Sequence, residues 1–211
     1  MNGGVLNEGL EPNEANPHSW LVLTGDPSKE TLGRPLIMWG TLRAEHRGRK
    51  NSLSEFVLAK LMPAAPKGTA PWTATAHRHE VLLPDHAPDH LLGVRTLIEA
   101  AEREFPGDPK ALCAYATLTE EPATLHSAFE LARDLARELV HRFDVAALLV
   151  QHVPARVANT ALPHVHIVFP GPRRITRFGA FGSYVSDLTG DRGRELIVEA
   201  SERRIAAKGH G

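Results

Sequence analysis

The sequence predicts an α+β fold, a mainly antiparallel sheet with helices packed on one face. Three observations carry this. From Trp72 onward apolar periodicity switches between strand-like and helix-like in the order β-α-β-α-β-β, followed by a basic turn and a last helix. One segment, Leu125 to Phe143, has an apolar stripe of Leu125, Ala128, Phe129, Ala132, Leu135, Ala136, Leu139 and Phe143 at helical spacing. Two apolar runs, Val145 to His152 and Pro163 to Phe169, are separated by a loop of Pro, Ala, Asn and Thr that returns the second beside the first as an antiparallel neighbour. Helices of this length cover one face of such a sheet.

Taken in order, residues 1–71 read as an N-terminal arm, partly mobile, and residues 72–211 as the α+β domain. Asn, Gly, Pro and Glu dominate positions 2–17, a basic cluster stands at Arg43, His46, Arg47, Arg49 and Lys50, and Trp20 to Leu23 and Leu36 to Trp39 are short apolar pieces. Within the arm, Ser52 to Met62 has helical spacing and a Ser-x-x-Glu start at Ser52 and Glu55. Pro63 to Pro66 and Gly68 to Pro71 then break the chain. Trp72 to Leu83 is a strand, Asp89 to Phe105 a helix with Leu91, Val94, Leu97, Ile98 and Ala101 on one side, and Ala111 to Leu118 a second strand. Asp191 to about Ala206 closes the chain as a charged helix.

At 211 residues with 42% hydrophobic content, the chain holds one well-buried domain plus a small appendage. Lys and Arg number 24 against 25 Asp and Glu, so any nucleic-acid binding uses a local site rather than a global positive field. Cys113 is the only cysteine, which excludes an internal disulfide and a cysteine-based zinc cluster. No apolar run approaches membrane-spanning length, and the N-terminus lacks the basic and apolar regions of a secretion signal. The expectation is a cytoplasmic protein with no membrane partner.

The chemistry concentrates in His164-Val-His166-Ile-Val-Phe169 and the preceding His152. In a strand, residues i and i+2 share a face, so His164 and His166 point the same way, and His152 arrives beside them at the end of the neighbouring run. Three neutral imidazoles in one cleft suit a divalent metal that polarises a phosphoryl or carbonyl oxygen. With 12 histidines in the chain, a His-x-His pair is expected about once by chance, and His77-Arg78-His79 is a second one, read as a solvated edge. The third histidine is what lifts the first pair above that background.

The run from Ala128-Phe-Glu-Leu-Ala-Arg-Asp-Leu-Ala-Arg-Glu-Leu-Val140 through Phe143 to His152, a loop with Asn159, and Pro163-His-Val-His-Ile-Val168 resembles the relaxase domain of MobA/MobL-type plasmid mobilisation proteins, members of the HUH endonucleases. Phe178-Gly-Ala-Phe-Gly-Ser-Tyr184 and the following helix extend the likeness over residues 128–206. The resemblance implies an HUH-type palm, related to the ferredoxin-like sandwich. It implies a divalent ion, Mn²⁺ or Mg²⁺, on His152, His164 and His166, and single-stranded DNA at an origin of transfer as partner, together with other mobilisation proteins. It implies tyrosine attack on a phosphodiester. Relaxases of this kind carry that tyrosine near the N-terminus. Here only Tyr115 and Tyr184 exist, and Tyr115 reads as a core residue of an apolar strand, so Tyr184 is the candidate nucleophile. Arg173 and Arg174, directly behind the histidine strand, are the candidate phosphate-binding residues. Two other functions fit less fully: a non-catalytic DNA-binding accessory protein with the same fold, and a histidine-triad-like nucleotide hydrolase, whose third strand histidine would fall at Val168.

Overall fold

The computed structural model describes residues 4–29, 34–119, 124–157 and 161–208. Its strands are β1 (Gly4–Val5), β2 (Leu23–Gly25), β3 (Leu36–Leu42), β4 (Glu45–His46), β5 (Arg49–Lys50), β6 (Arg78–Leu82), β7 (Cys113–Thr119), β8 (Ala147–His152), β9 (His164–Pro170), β10 (Arg173–Ile175) and β11 (Phe181–Tyr184). The helices are α1 (Leu53–Leu61), α2 (Val94–Arg103), α3 (Leu125–Phe143) and α4 (Asp191–Lys208). Seven strands form one sheet in the order β1-β2-β3-β7-β9-β8-β6. Every neighbouring pair in it is antiparallel. This is an α+β palm-type fold, as the element order predicts.

The middle of the sheet is built from the most continuously apolar strands, which is what burial on both faces demands. Ala114, Ala116 and Leu118 of β7, Val165, Ile167 and Phe169 of β9 and Leu149 of β8 point to one side and pack with Phe129, Leu135 and Leu139 of α3 and Leu196 and Ile197 of α4. The alternate residues Cys113, Tyr115, Leu148, Val150 and Val168 point to the other side and pack with Phe56 of α1 and Leu97 and Ile98 of α2. Burying each large side chain here contributes roughly 2 kcal/mol. The long helices therefore share one face, and α1 and α2 form a second, smaller layer on the other. That second layer frames the histidines.

The helix signals act where the sequence puts them. Ser52 Oγ accepts from the Glu55 amide at 3.2 Å and starts α1. Thr124 Oγ1 accepts from the Ser127 amide at 3.1 Å and starts α3, which stops at Asp144 with a left-handed φ of 55°. The expected helix over Asp89 to Phe105 is a 3₁₀ turn followed by α2, and the expected strand over Trp72 to Leu83 shortens to β6.

The separate N-terminal arm over 1–71 does not hold for its described residues. β3 pairs with β7 along its whole length, from Leu36 opposite Thr119 to Leu42 opposite Cys113. Trp20, Trp39, Leu42, Leu53 and Phe56 are buried. The polar, Gly- and Pro-rich composition describes the connections, while Trp20, Leu21, Leu23, Leu42, Leu53 and Phe56 fill the second layer and Ile37 and Trp39 join the core under α3 and α4. Gly40 of β3 makes this crossing feasible, since a Cβ there would sit 2.4 Å from the Val22 carbonyl oxygen and 2.8 Å from Leu21 Cδ1. The chain from Pro17 to Leu23 thus lies against the sheet face that bears the histidines.

Candidate metal centre

Strand register brings the three histidines together. β8 and β9 pair with His152 opposite His164 and Val150 opposite His166, so all three side chains stand on the α1/α2 face. Ring centroids lie 4.4 Å apart for His152 and His166, 4.6 Å for His164 and His166, and 5.2 Å for His152 and His164. One nitrogen from each ring lies within 4.8 Å of the others.

Each imidazole has one ring nitrogen held from behind. His152 Nε2 is 2.6 Å from the Lys60 carbonyl and His164 Nδ1 is 2.8 Å from the Leu162 carbonyl. A carbonyl only accepts, so both nitrogens donate, which leaves His152 Nδ1 and His164 Nε2 with lone pairs. His166 Nδ1 faces the Tyr115 hydroxyl at 2.7 Å and Thr117 Oγ1 at 3.0 Å, and its Nε2 lies 3.1 Å from His152 Nδ1. This is the outer-shell pattern that orients histidine ligands toward an ion.

Burial keeps the rings neutral, the form that binds a metal. It pushes His166 well below the usual imidazole range, with the charges of Lys60, His164, His152 and His18 adding in the same direction. His152 is pushed down to about 4 by burial, and His164 is lowered for the same reason. The donor set and its protonation state fit a divalent ion. His152 and His164 also line a cleft of about 310 Å³ with Pro63, Ala64, Ala76 and Pro154, which opens the site to a ligand. His77 lines the same cleft, while the strand it precedes is the sheet edge.

Three residues that sequence reasoning did not assign to the site belong to it. Tyr115, fully buried, bridges His166 and His18, whose Nε2 is 2.7 Å from the same hydroxyl. Its alternation with Thr117 and their register beside His166 are the sequence-level trace of this contact. His18, on the 3₁₀ turn Pro17–Trp20, is held down to about 2, chiefly by burial. Lys60 is 3% exposed, its ammonium lying 5.2 Å from the Phe56 ring centre and 5.1 Å from that of Tyr115. Nothing in the sequence distinguishes His18 from the other histidines, because its partner is 97 residues away.

The structure does not bring Tyr184, Arg173 or Arg174 to the histidines. All three lie on the β10–β11 hairpin, which follows the far end of β9. Pro170 is about 13 Å along the strand from His166. The Tyr184 hydroxyl donates to the Ala111 carbonyl at 3.1 Å, at that same far end. Arg173 is 9% exposed and its guanidinium donates to the carbonyls of Gly182 and Glu104, both at 2.7 Å, and of Phe181. It ties the hairpin to the end of α2. Arg174 pairs with Asp144 at 3.2 Å and donates to the Phe143 carbonyl. Proximity in sequence to His166 misled because an extended strand carries the chain away by over 3 Å per residue. Asn159 lies outside the described residues.

The sheet is an antiparallel palm whose central strands present three converging imidazoles. Among solved structures, the chain is similar to one that gives the molecular basis of vancomycin resistance transfer in Staphylococcus aureus, a relaxase, with a TM-score of 0.50, 18% identity, and coverage of 64% of this chain and 72% of that one. The relaxase-like resemblance is thereby shown at the level of fold. No family model matches the chain, and no curated protein is similar to it. Among the described residues no helix is long and apolar enough to cross a membrane.

Proposed function

We propose that this protein is a relaxase-like domain that binds single-stranded DNA at a divalent ion, Mn²⁺ or Mg²⁺, held by His152, His164 and His166, in the setting of plasmid mobilisation. One observation carries the reading. Three imidazoles, each braced from behind, turn their remaining nitrogens toward one point beside a cleft of about 310 Å³. When bound, the ion supplies positive charge to the non-bridging oxygens of a phosphodiester. This chain's residues hold the imidazoles neutral and oriented, and Pro63, Ala64, Ala76 and Pro154 give the cleft an apolar wall.

A covalent step through Tyr184 is not part of the proposal, since its hydroxyl is engaged at the opposite end of the sheet. Tyr115 is buried and its hydroxyl has three partners. These placements favour the DNA-binding accessory reading over a phosphotyrosine-forming nuclease. The histidine-triad-like hydrolase loses support, because Val168, on the same face as His166, is buried in the second layer.

The test is fluorescence anisotropy of a labelled single-stranded oligonucleotide carrying an origin of transfer, with and without Mn²⁺. Binding should strengthen at least tenfold with the ion, and His166→Ala should abolish the gain. Tyr184→Phe should leave binding unchanged, and denaturing gels should show no protein–DNA adduct. Ion-independent binding in the wild type, or an adduct lost in Tyr184→Phe, would overturn the reading.

A further inference from the structure

The contacts around His166 form one continuous chain: His18 Nε2 to the Tyr115 hydroxyl at 2.7 Å, that hydroxyl to His166 Nδ1 at 2.7 Å, His166 Nε2 to His152 Nδ1 at 3.1 Å, and His152 Nε2 to the Lys60 carbonyl at 2.6 Å. The last link is fixed, because a carbonyl only accepts and His152 Nδ1 then holds a lone pair. Thr117 Oγ1 donates to the Tyr115 oxygen at 2.8 Å, which leaves the phenol one proton to give and one further lone pair to offer. Two proton arrangements satisfy every link of this chain, and the 3.0 Å approach of Thr117 Oγ1 to His166 Nδ1 is a hydrogen bond only in the second, where Nδ1 carries the proton.

In the first, His166 Nε2–H donates to His152 Nδ1. A neutral His166 then has a bare Nδ1, which accepts the Tyr115 proton, and the Tyr115 oxygen accepts from His18 Nε2–H. In the second, His166 Nε2 is bare and faces the bare His152 Nδ1. Two lone pairs at this distance are tolerated only with a cation between them. His166 must then carry its proton on Nδ1 and donate it to Tyr115, and Tyr115 must donate to a bare His18 Nε2. Every link upstream of His152 reverses.

We propose that His18, Tyr115 and His166 form a proton wire whose direction reverses when a divalent ion binds, so that Tyr115 and His18 are positioning residues that set the tautomer of a ligand. This inference rests on the ion-binding reading of the histidine cluster. The protons balance within the wire. The Nε2 proton of His166 leaves toward the cleft, His166 Nδ1 takes the Tyr115 proton, Tyr115 takes the His18 Nε2 proton, and His18 gains one from solvent on Nδ1. Each imidazole stays neutral and no net proton is released. His18, whose Nε2 is already engaged by Tyr115, reports on the ion without binding it.

Long-range ¹⁵N–¹H spectra of uniformly ¹⁵N-labelled full chain, recorded metal-free and saturated with diamagnetic Zn²⁺, read the tautomer of each histidine directly. The expected result is Nε2–H for both His18 and His166 without the ion and Nδ1–H for both with it. In Tyr115→Phe, His18 should stop responding to Zn²⁺ and Zn²⁺ affinity should fall about tenfold or more, the usual effect of losing an outer-shell partner. Zn²⁺ binding through His166 with an unchanged His18 tautomer would overturn the wire and leave the ion site standing. Absence of stoichiometric Zn²⁺ binding by calorimetry would sink both. The wild-type spectra decide the matter even if the variant fails to fold.

Discussion

Replacing Lys60 by Met should stabilise the protein near neutral pH by an amount that shrinks as pH rises. Lys60 is 3% exposed, and burial lowers its ammonium from 10.5 to about 7. The depressed value means that between pH 7 and 10.5 the unfolded chain holds a proton that the folded chain does not. Stability from this group is therefore fully present above the unfolded pKa and is lost as pH falls through the folded one, with a slope of about 1.4 kcal/mol per pH unit inside the window. At pH 7 the accumulated penalty is about 4 kcal/mol, and at pH 8.5 it is roughly 1 to 2 kcal/mol smaller. Met keeps the aliphatic stem and removes the titration. Urea denaturation of wild type and Lys60→Met at pH 7.0 and 8.5, where ionisation of the Cys113 thiol in the unfolded chain offsets only a few tenths of a kcal/mol, should show the wild type gaining roughly 1 to 2 kcal/mol and the variant gaining none from this position. A wild type whose stability is flat over this interval, or a variant no more stable at pH 7, would refute a desolvated Lys60.

Acid should act through the histidines in the opposite pH range. Their folded values lie below 6.5, so the unfolded state takes up protons first and stability falls below about pH 6.5. A buried ring such as His166 contributes about 1 kcal/mol of this loss between pH 7 and 5.5, and thermal melts over that range should show a falling Tm that saturating Zn²⁺ steepens. Arg173→Ala should destabilise the fold by about 3 kcal/mol in urea, because three carbonyls lose a charged donor, while Arg174→Ala stays within about 1 kcal/mol. Neither substitution should change oligonucleotide affinity more than twofold. Gly40→Ala should cost about 1 to 3 kcal/mol, since its Cβ meets the Val22 carbonyl oxygen at 2.4 Å, and should weaken Zn²⁺ binding by displacing the segment that carries His18.

The fold was legible where local pattern and tertiary role agree. α3 spans the predicted residues because its apolar stripe faces the sheet it covers, and Ser52 and Glu55 start α1 because a capping pair acts locally. The histidine triad was legible for the same reason, since i and i+2 in β9 and the end of β8 are settled by strand periodicity and one short return. The N-terminal third was misread because its strands are separated by polar turns and gain their stability from β7, more than 70 residues away. His18 and Lys60 escaped because no local pattern encodes their burial. Tyr184 was favoured over Tyr115 on exposure, yet the buried phenol is the one that touches a histidine of the cluster.

The distribution of charge ties these observations together. The chain has a formal charge of -1, and the arginines nearest in sequence to His166 are spent on carbonyls and Asp144 at the other end of the sheet. Around the histidines the fold does the reverse of building a positive surface. It buries Lys60 and four imidazoles so deeply that all are pushed toward neutrality. A neutral, braced donor set attracts no phosphate by itself; on the proposed reading it would hold a dication without prior deprotonation, and the dication would supply the charge that the side chains lack. Recognition of a polyanion by such a site would then depend on the ion far more than on lysine or arginine. That dependence follows from the same burial that makes Lys60 titrate near neutrality.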